Sequence, residues 1–416
     1  MGKFVITGGN RLDGKLCAES AKNAVLPILA GAIMTDEEVI IENCPKIKDV
    51  LSMIKILNSI GVKTVFEDNV LIINASGING YRLDSTLTKE LRSSVFMLGA
   101  LVSRMKKAVL AYPGGCNIGL RPVDIHISAL KSLGVKVEEI GGEILCNAEN
   151  VKGNEIYLDF PSVGATENAM LASVFADGET IIRNAAKEPE IEDLMCFLVK
   201  MGAKISGGGT DTLRITGVKK LYGIHYKPLC DRIEAGTYLI AAAITGGKIE
   251  LNNCKAENIS SLIHKLRNNS CKIRIKNDII YLKGGDYKKA FNVETSPFPG
   301  FPTDLQAQIM SLAAVSDGIS LITENIFETR FRHVSELNKM GANISIRGKT
   351  AIVSGVSKLY GANVYAEDLR GGASLVIAAL TAEGRSVING ISHIERGYAR
   401  MDGKLASLGA DIKKLE

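Results

Sequence analysis

The residues best placed for chemistry lie in one loop. Pro113-Gly-Gly-Cys116-Asn-Ile-Gly119-Leu-Arg121-Pro122-Val-Asp-Ile-His126 sets a thiol five residues ahead of a guanidinium, just before a helix start. Glycines around the thiol let a ligand approach the backbone closely. A Cys near an Arg and a helix N-terminus is a setting for reactive sulfur, and Pro122 suits a first helical turn. The plain alternative is a small buried Cys in a turn. A second cluster, Glu19-Ser20-Ala21-Lys22-Asn23-Ala24, puts a Lys where an apolar helix begins. Backbone N–H groups at such a start favour phosphate; the alternative there is a Lys laid along the surface.

Further charged or polar residues stand at corresponding places of other loops: Arg92, Ser162-Val163-Gly164, Asp231-Arg232 with Glu234, Asp304, Asp368 with Arg370, Glu188, Phe327-Glu-Thr-Arg330 and Glu395-Arg396. Any one alone is more often a solvated charge or a helix cap, and Asp304 after Pro299-Gly-Phe-Pro-Thr303 could simply cap a helix. Their recurrence in both halves of the chain points instead to a cleft that holds a substrate with several negative charges. His126 reads as a polar ligand contact. The other four His show no metal spacing, so metal catalysis finds no support. The eight Cys contain no C-x-x-C pair. A zinc site and a disulfide framework are therefore not expected, and most thiols read as small buried hydrophobes in a reducing compartment.

These loops hang on a repeat. Leu57-Asn-Ser-Ile-Gly-Val-Lys recurs as Leu130-Lys-Ser-Leu-Gly-Val-Lys, Leu198-Val-Lys-Met-Gly-Ala-Lys, Leu337-Asn-Lys-Met-Gly-Ala-Asn and Leu405-Ala-Ser-Leu-Gly-Ala-Asp, with a degenerate copy at Leu266-Arg-Asn-Asn-Ser-Cys-Lys. The anchors at 61, 134, 202, 270, 341 and 409 stand 68–73 residues apart. Each reads as the end of an amphipathic helix, closed by a left-handed Gly except at Ser270, and followed by a strand. Earlier in each unit runs a helix of small apolar residues, such as Ala24 to Met34, which must be buried. The sixth copy stops before its last strand. The opening Phe4-Val-Ile-Thr-Gly matches Leu213-Arg-Ile-Thr-Gly and Ala351-Ile-Val-Ser-Gly, so the N-terminal strand is expected to complete it. The expected domains are 22–228, holding repeats one to three, and 1–21 plus 229–416, holding repeats four to six.

Composition narrows the function. The 416 residues are 46% hydrophobic and 23% charged, which is globular and long enough for two domains. A net charge of +5, 5% aromatics and no Trp make a nucleic-acid partner unnecessary and fit small anionic substrates. The start lacks a signal-peptide apolar region, and no apolar stretch is long enough to span a bilayer. A cytoplasmic protein with no membrane partner is expected. Oligomeric state is not set by the sequence, and a monomer is the working expectation.

The loop around Cys116 and Arg121, with Ser20-Ala-Lys22-Asn23-Ala and Ser162-Val-Gly164-Ala-Thr-Glu-Asn, closely resembles the UDP-N-acetylglucosamine branch of the enolpyruvyl transferase family. The resemblance covers essentially the whole chain. It implies an α/β fold of two inside-out domains, each of three repeats of about 70 residues packed around buried helices. The implied reaction moves the enolpyruvyl group of phosphoenolpyruvate to the 3-hydroxyl of UDP-N-acetylglucosamine, releases phosphate, and opens peptidoglycan synthesis. It proceeds by addition and elimination through a tetrahedral intermediate, without a cofactor. By the same resemblance Cys116 is the proton donor and a target of fosfomycin, and Asp304 the base. Lys22, Arg121, Arg330, Arg370 and Arg396 hold phosphoenolpyruvate, with Asp368 supporting Arg370. Asn23, Arg92, Pro122, Val123, Asp124, His126, Ser162, Val163, Gly164 and Ile326 line the UDP-sugar site. The sister 5-enolpyruvylshikimate-3-phosphate synthases share the plan but do not use the Pro-Gly-Gly-Cys loop. A sixfold-repeat DNA clamp would instead spread its cations along helix faces.

Overall fold

The computed structural model describes residues 2–114, 123–285 and 287–416. Cys116, Arg121 and Pro122 thus lie outside the described residues. Six helices are buried nearly throughout: Lys22–Ala32, Phe96–Met105, Val163–Ser173, Arg232–Ile244, Gln306–Ala314 and Leu369–Thr381. Their small residues permit close contact. A Cβ on Gly99 would come 2.4 Å from Asn168 of the neighbouring helix, so only Gly fits there.

Six amphipathic helices follow in turn: Lys48–Ser59, Asp124–Ser132, Pro189–Lys200, Ser260–Asn268, Val334–Lys339 and Met401–Ser407. In the first of them Val50, Met53, Ile56 and Leu57 are buried, at the helical spacing of three and four. All six anchors take positive φ, from 75° at Ser270 to 110° at Gly202. Ser270 adopts this conformation against its Cβ, whereas Gly does so at no steric cost.

Each repeat also contributes to a small sheet. In the last one, Lys3–Thr7 runs antiparallel between Arg385–Asn389 and Asp411–Leu415, with Lys3 opposite both Asn389 and Leu415. Five sheets carry in addition a parallel edge strand from the preceding repeat. Two of these edges close a ring. His225–Tyr226, after the third repeat, pairs with Ile40–Ile41 of the first. Asp13–Cys17, which continues from the Lys3–Thr7 strand of the sixth, pairs with Lys248–Asn252 of the fourth. Sequence periodicity does not mark these short parallel edges.

The described residues fall into two compact units, 2–19 with 230–416 and 20–114 with 123–229. Within each, three buried helices contact one another. The sheets lie outside, where apolar residues such as Ile319, Ile140 and Val65 remain exposed. This is an inside-out α/β arrangement. Among the described residues no helix is long and apolar enough to cross a membrane. Cys44, Cys146, Cys254 and Cys271 are buried as expected, but Cys17 and Cys196 are exposed and Cys230 is intermediate. Most of the described thiols are thus buried, and the exceptions lie at strand and helix surfaces, where outward-facing positions accept a small side chain.

Candidate active site

In the unit containing the C-terminus, the site is built on helix starts. Asp304 lies in the short turn Thr303–Leu305 that leads into helix Gln306–Ala314, and its carboxylate does not cap that helix. It accepts instead from Arg330 Nη2 at 2.7 Å and Arg370 Nη2 at 2.8 Å, one guanidinium on each oxygen. Both Arg side chains are buried, whereas about a quarter of Asp304 (26%) still reaches solvent. Burial by itself would raise the Asp304 carboxyl, but the charges of Arg370 and Arg330 and their hydrogen bonds hold it well below the usual carboxylate range. Arg370 keeps Nε and Nη1, and Arg330 keeps Nε, without hydrogen-bond partners among the described residues. Three guanidinium nitrogens of the pair are thus buried without an acceptor, which is costly to leave unsatisfied.

Supporting contacts surround this pair. Asp368 caps helix Leu369–Thr381 by accepting from the N–H groups of Arg370 and Gly371, each at 2.9 Å. Arg370 lies 5.4 Å from the Tyr398 ring centroid and Arg330 5.5 Å from that of Phe327. Gln308 Nε2 donates to the Asp304 carbonyl at 2.8 Å and to the Tyr398 hydroxyl at 3.1 Å. His333 is buried, and burial pushes its imidazole down to about 4, so it is neutral near pH 7. Ile326 donates its N–H to Glu324 at 2.8 Å. Arg396 ends the turn Ile394–Arg396.

In the other unit the candidate residues also cluster at helix starts. Lys22 and Asn23 open helix Lys22–Ala32. Lys22 Nζ lies 2.7 Å from Asp49 Oδ2, both side chains nearly buried. Arg92 opens the turn Arg92–Val95 and donates to the Pro113 carbonyl at 3.3 Å. Ser162 caps helix Val163–Ser173 through the Ala165 N–H. Val123 precedes helix Asp124–Ser132, and Asp124 is exposed at its start. His126 on that helix is buried beside Asn168.

The Asn168 contacts assign the imidazole tautomer. Asn168 Oδ1 accepts from the Gly99 N–H at 2.6 Å, so its Nδ2 faces His126 Nδ1 at 3.1 Å as donor. His126 Nδ1 accepts, and neutral His126 carries its proton on Nε2. Gly164 makes room for this ring, since a Cβ there would stand 3.1 Å from His126 Cε1.

Sequence reasoning missed Asp49, Glu324, His333 and Tyr398. Asp49 left one signal, an acid in the first turn of an amphipathic helix. The others look like ordinary residues after a strand or within a turn. Among the described residues no group of His, Cys, Asp and Glu could hold a metal ion.

Comparison with known proteins sets this arrangement in a family. A family model described as EPSP synthase (3-phosphoshikimate 1-carboxyvinyltransferase) matches residues 6–405. A UDP-N-acetylglucosamine 1-carboxyvinyltransferase 2 of Caldanaerobacter subterraneus subsp. tengcongensis is 50% identical over 416 residues, covering all of both chains. The chain belongs to the enolpyruvyl transferase family. A UDP-N-acetylglucosamine 1-carboxyvinyltransferase 1 of Symbiobacterium thermophilum is 47% identical, covering 99% of this chain and 95% of its own. Among solved structures, the enolpyruvyl transferase NikO from Streptomyces tendae superposes with a TM-score of 0.90 at 23% identity, covering 99% of this chain and 98% of that one. EPSP synthase from Acinetobacter baumannii follows at 0.77 and 18%, covering all of both chains. These structures share the fold, and the expected inside-out α/β fold class stands.

Proposed function

We propose that the chain transfers the enolpyruvyl group of phosphoenolpyruvate to the 3-hydroxyl of UDP-N-acetylglucosamine, with release of phosphate, in the cytoplasm as the first committed step of peptidoglycan synthesis. The observation that carries this reading is the Asp304 carboxylate between two buried guanidinium groups that still have unpartnered N–H donors. The names of full-length relatives at 46–50% identity supply the acceptor.

In this mechanism a proton from Cys116 reaches the methylene carbon of phosphoenolpyruvate, leaving positive character on the adjacent carbon. An ordinary thiol, with a pKa of about 8.5, is mostly protonated at neutral pH, as a proton donor requires. Asp304 accepts the proton of the sugar hydroxyl as its oxygen bonds that carbon. The tetrahedral adduct then loses a methyl proton and phosphate together, restoring the double bond. Lys22, Arg121, Arg330, Arg370 and Arg396 hold the carboxylate and phosphate. Asn23, Arg92, Pro122, Val123, Asp124, His126, Ser162, Val163, Gly164 and Ile326 contact the UDP-sugar, and Asp368 orients the Arg370 turn. An Asp304 carboxyl held far below its usual range is a weak base. An anionic substrate that draws on the same two guanidinium groups lifts it toward the proton-accepting range.

The test is phosphate release from phosphoenolpyruvate, with and without UDP-N-acetylglucosamine, on wild type and Cys116→Ala. Release that needs the UDP-sugar and collapses in the variant supports the reading. The family model's description favours one second reading, shikimate 3-phosphate as acceptor; release with that acceptor alone would replace the first.

A further inference from the structure

We propose that Glu324 is a positioning residue that fixes Asp304 relative to the turn carrying Arg330. The proposal rests on the reading of Asp304 as the base. Glu324 directly follows strand Ile319–Thr323 and is buried. Its carboxylate touches two separate pieces of the site. Oε2 accepts from the Thr303 hydroxyl at 2.9 Å, and Thr303 is the residue before Asp304. Oε1 accepts from the backbone N–H groups of Ile326 and Phe327, at 2.8 and 3.1 Å. Those two residues open the segment that reaches Arg330. One side chain therefore holds both chain segments whose side chains meet at 2.7 Å in the Asp304–Arg330 pair.

The repeat provides an internal comparison. In three other repeats the residue directly after the corresponding strand is Asn184, Asn253 or Gly390, at φ 55°, 58° and 70°. There the chain turns through a left-handed residue, the usual use of Asn and Gly. Glu324 is not among the left-handed residues. In the fifth repeat the turn is held by a side chain instead, with a carboxylate standing in for backbone geometry. An Asn or Gly would build the turn equally well but would not reach Thr303. The second attachment, to the residue beside Asp304, gives Glu324 a role that an Asn or Gly at this place could not fill.

Neighbouring contacts stiffen the clasp. The Thr295 hydroxyl donates to Glu324 Oε1 at 3.0 Å and accepts the Asn325 N–H at 2.9 Å. Asn325 Nδ2 donates to the Thr295 carbonyl at 3.1 Å and to Glu294 at 2.8 Å. A buried carboxylate is tolerated when it accepts several hydrogen bonds, and such charge-assisted bonds are short and directional.

Steady-state kinetics well below the unfolding temperature test the proposal, with Asp304→Asn as the control. Glu324→Ala is expected to lower kcat by about a hundredfold, the cost of a misplacement near 1 Å. It should also move the acid limb of the kcat/KM profile to higher pH, because Asp304 loosened from Arg330 regains a more ordinary carboxyl. A purely structural role would lower the unfolding temperature without moving that limb. Glu324→Gln keeps an acceptor for the backbone N–H groups and should stay within about fivefold of wild type, the equivalent of one lost hydrogen bond. Thr303→Val frees only the Asp304 side and should lower kcat while leaving KM for the UDP-sugar unchanged; it carries the test if Glu324→Ala does not fold. Wild-type kcat and acid limb in both Glu324→Ala and Thr303→Val, with Asp304→Asn inactive, would overturn the proposal alone. An active Asp304→Asn would overturn the base assignment and this proposal with it.

Discussion

The clusters around Asp304 and around His126 occupy corresponding places in the two units, yet they differ in kind. The first is ionic: a carboxylate with two buried guanidinium groups that retain unpartnered donors. The second is held by neutral groups: an amide that bonds His126, the Gly99 N–H and the Val95 carbonyl at once. The same helix-start scaffold therefore supports two chemistries. On the proposed reading, charge prepares one to act on an anion, and fixed dipoles prepare the other to recognise a shape.

The sharpest way to break this contrast is to compare Arg370→Ala with Asn168→Ala. Arg370→Ala should lower kcat/KM for phosphoenolpyruvate by about a thousandfold, as for removal of a transition-state donor. Arg370→Lys should restore little of it, because an ammonium cannot reproduce the fork that serves both Asp304 and an anion. Asn168→Ala should act mainly on folding, by about 2–3 kcal/mol in denaturant titration, since the buried Gly99 N–H loses its acceptor. Equal kinetic losses in the two variants would erase the distinction.

Acid groups sharpen it further. Asp304→Asn leaves two buried cations uncompensated and should destabilise by about 3 kcal/mol at pH 7. Because the folded Asp304 carboxyl is depressed, its contribution is present above about pH 4 and lost as pH falls through its lowered value. Asp193, in the other unit, has the opposite sign. Burial pushes it up to about 6, against the hydrogen bonds from the Tyr226 hydroxyl and the Leu229 N–H. Its contribution is full below about pH 4 and lost as pH rises through 6, by about 3 kcal/mol in all. Unfolding temperatures across pH 3–8, for wild type, Asp304→Asn and Asp193→Asn, should show the two trends separately. The smallest effect is expected from Gly164→Ala. A Cβ 3.1 Å from the His126 ring must displace it slightly, raising KM for the UDP-sugar while stability stays within about 1 kcal/mol of wild type.

Much of the scaffold was legible before any coordinates. The six anchors, the amphipathic faces ahead of them and the apolar helices are local patterns, set by helical periodicity and by the steric demands of a left-handed residue. The match of residues 4–7 to internal strands likewise marked a strand that now lies between Arg385–Asn389 and Asp411–Leu415. The parallel edge strands were not legible. His225–Tyr226 and Asp13–Cys17 are too short for periodicity to register, and their partners lie in another repeat.

Which chemical groups stand at or just before the helix starts is written in the chain: Lys22, Asp304, Arg330 and Arg370 are all charged residues at recurrent positions. Their partners are fixed by packing across the chain. Asp304 meets Arg370 from 66 residues away, Lys22 meets Asp49 on the next helix, and Glu324 reaches back to Thr303. Capping and periodicity act within a turn or two of chain and leave their mark in local order. The choice of a distant charge partner depends on how packed helices bring side chains within hydrogen-bond distance, and no local pattern records it.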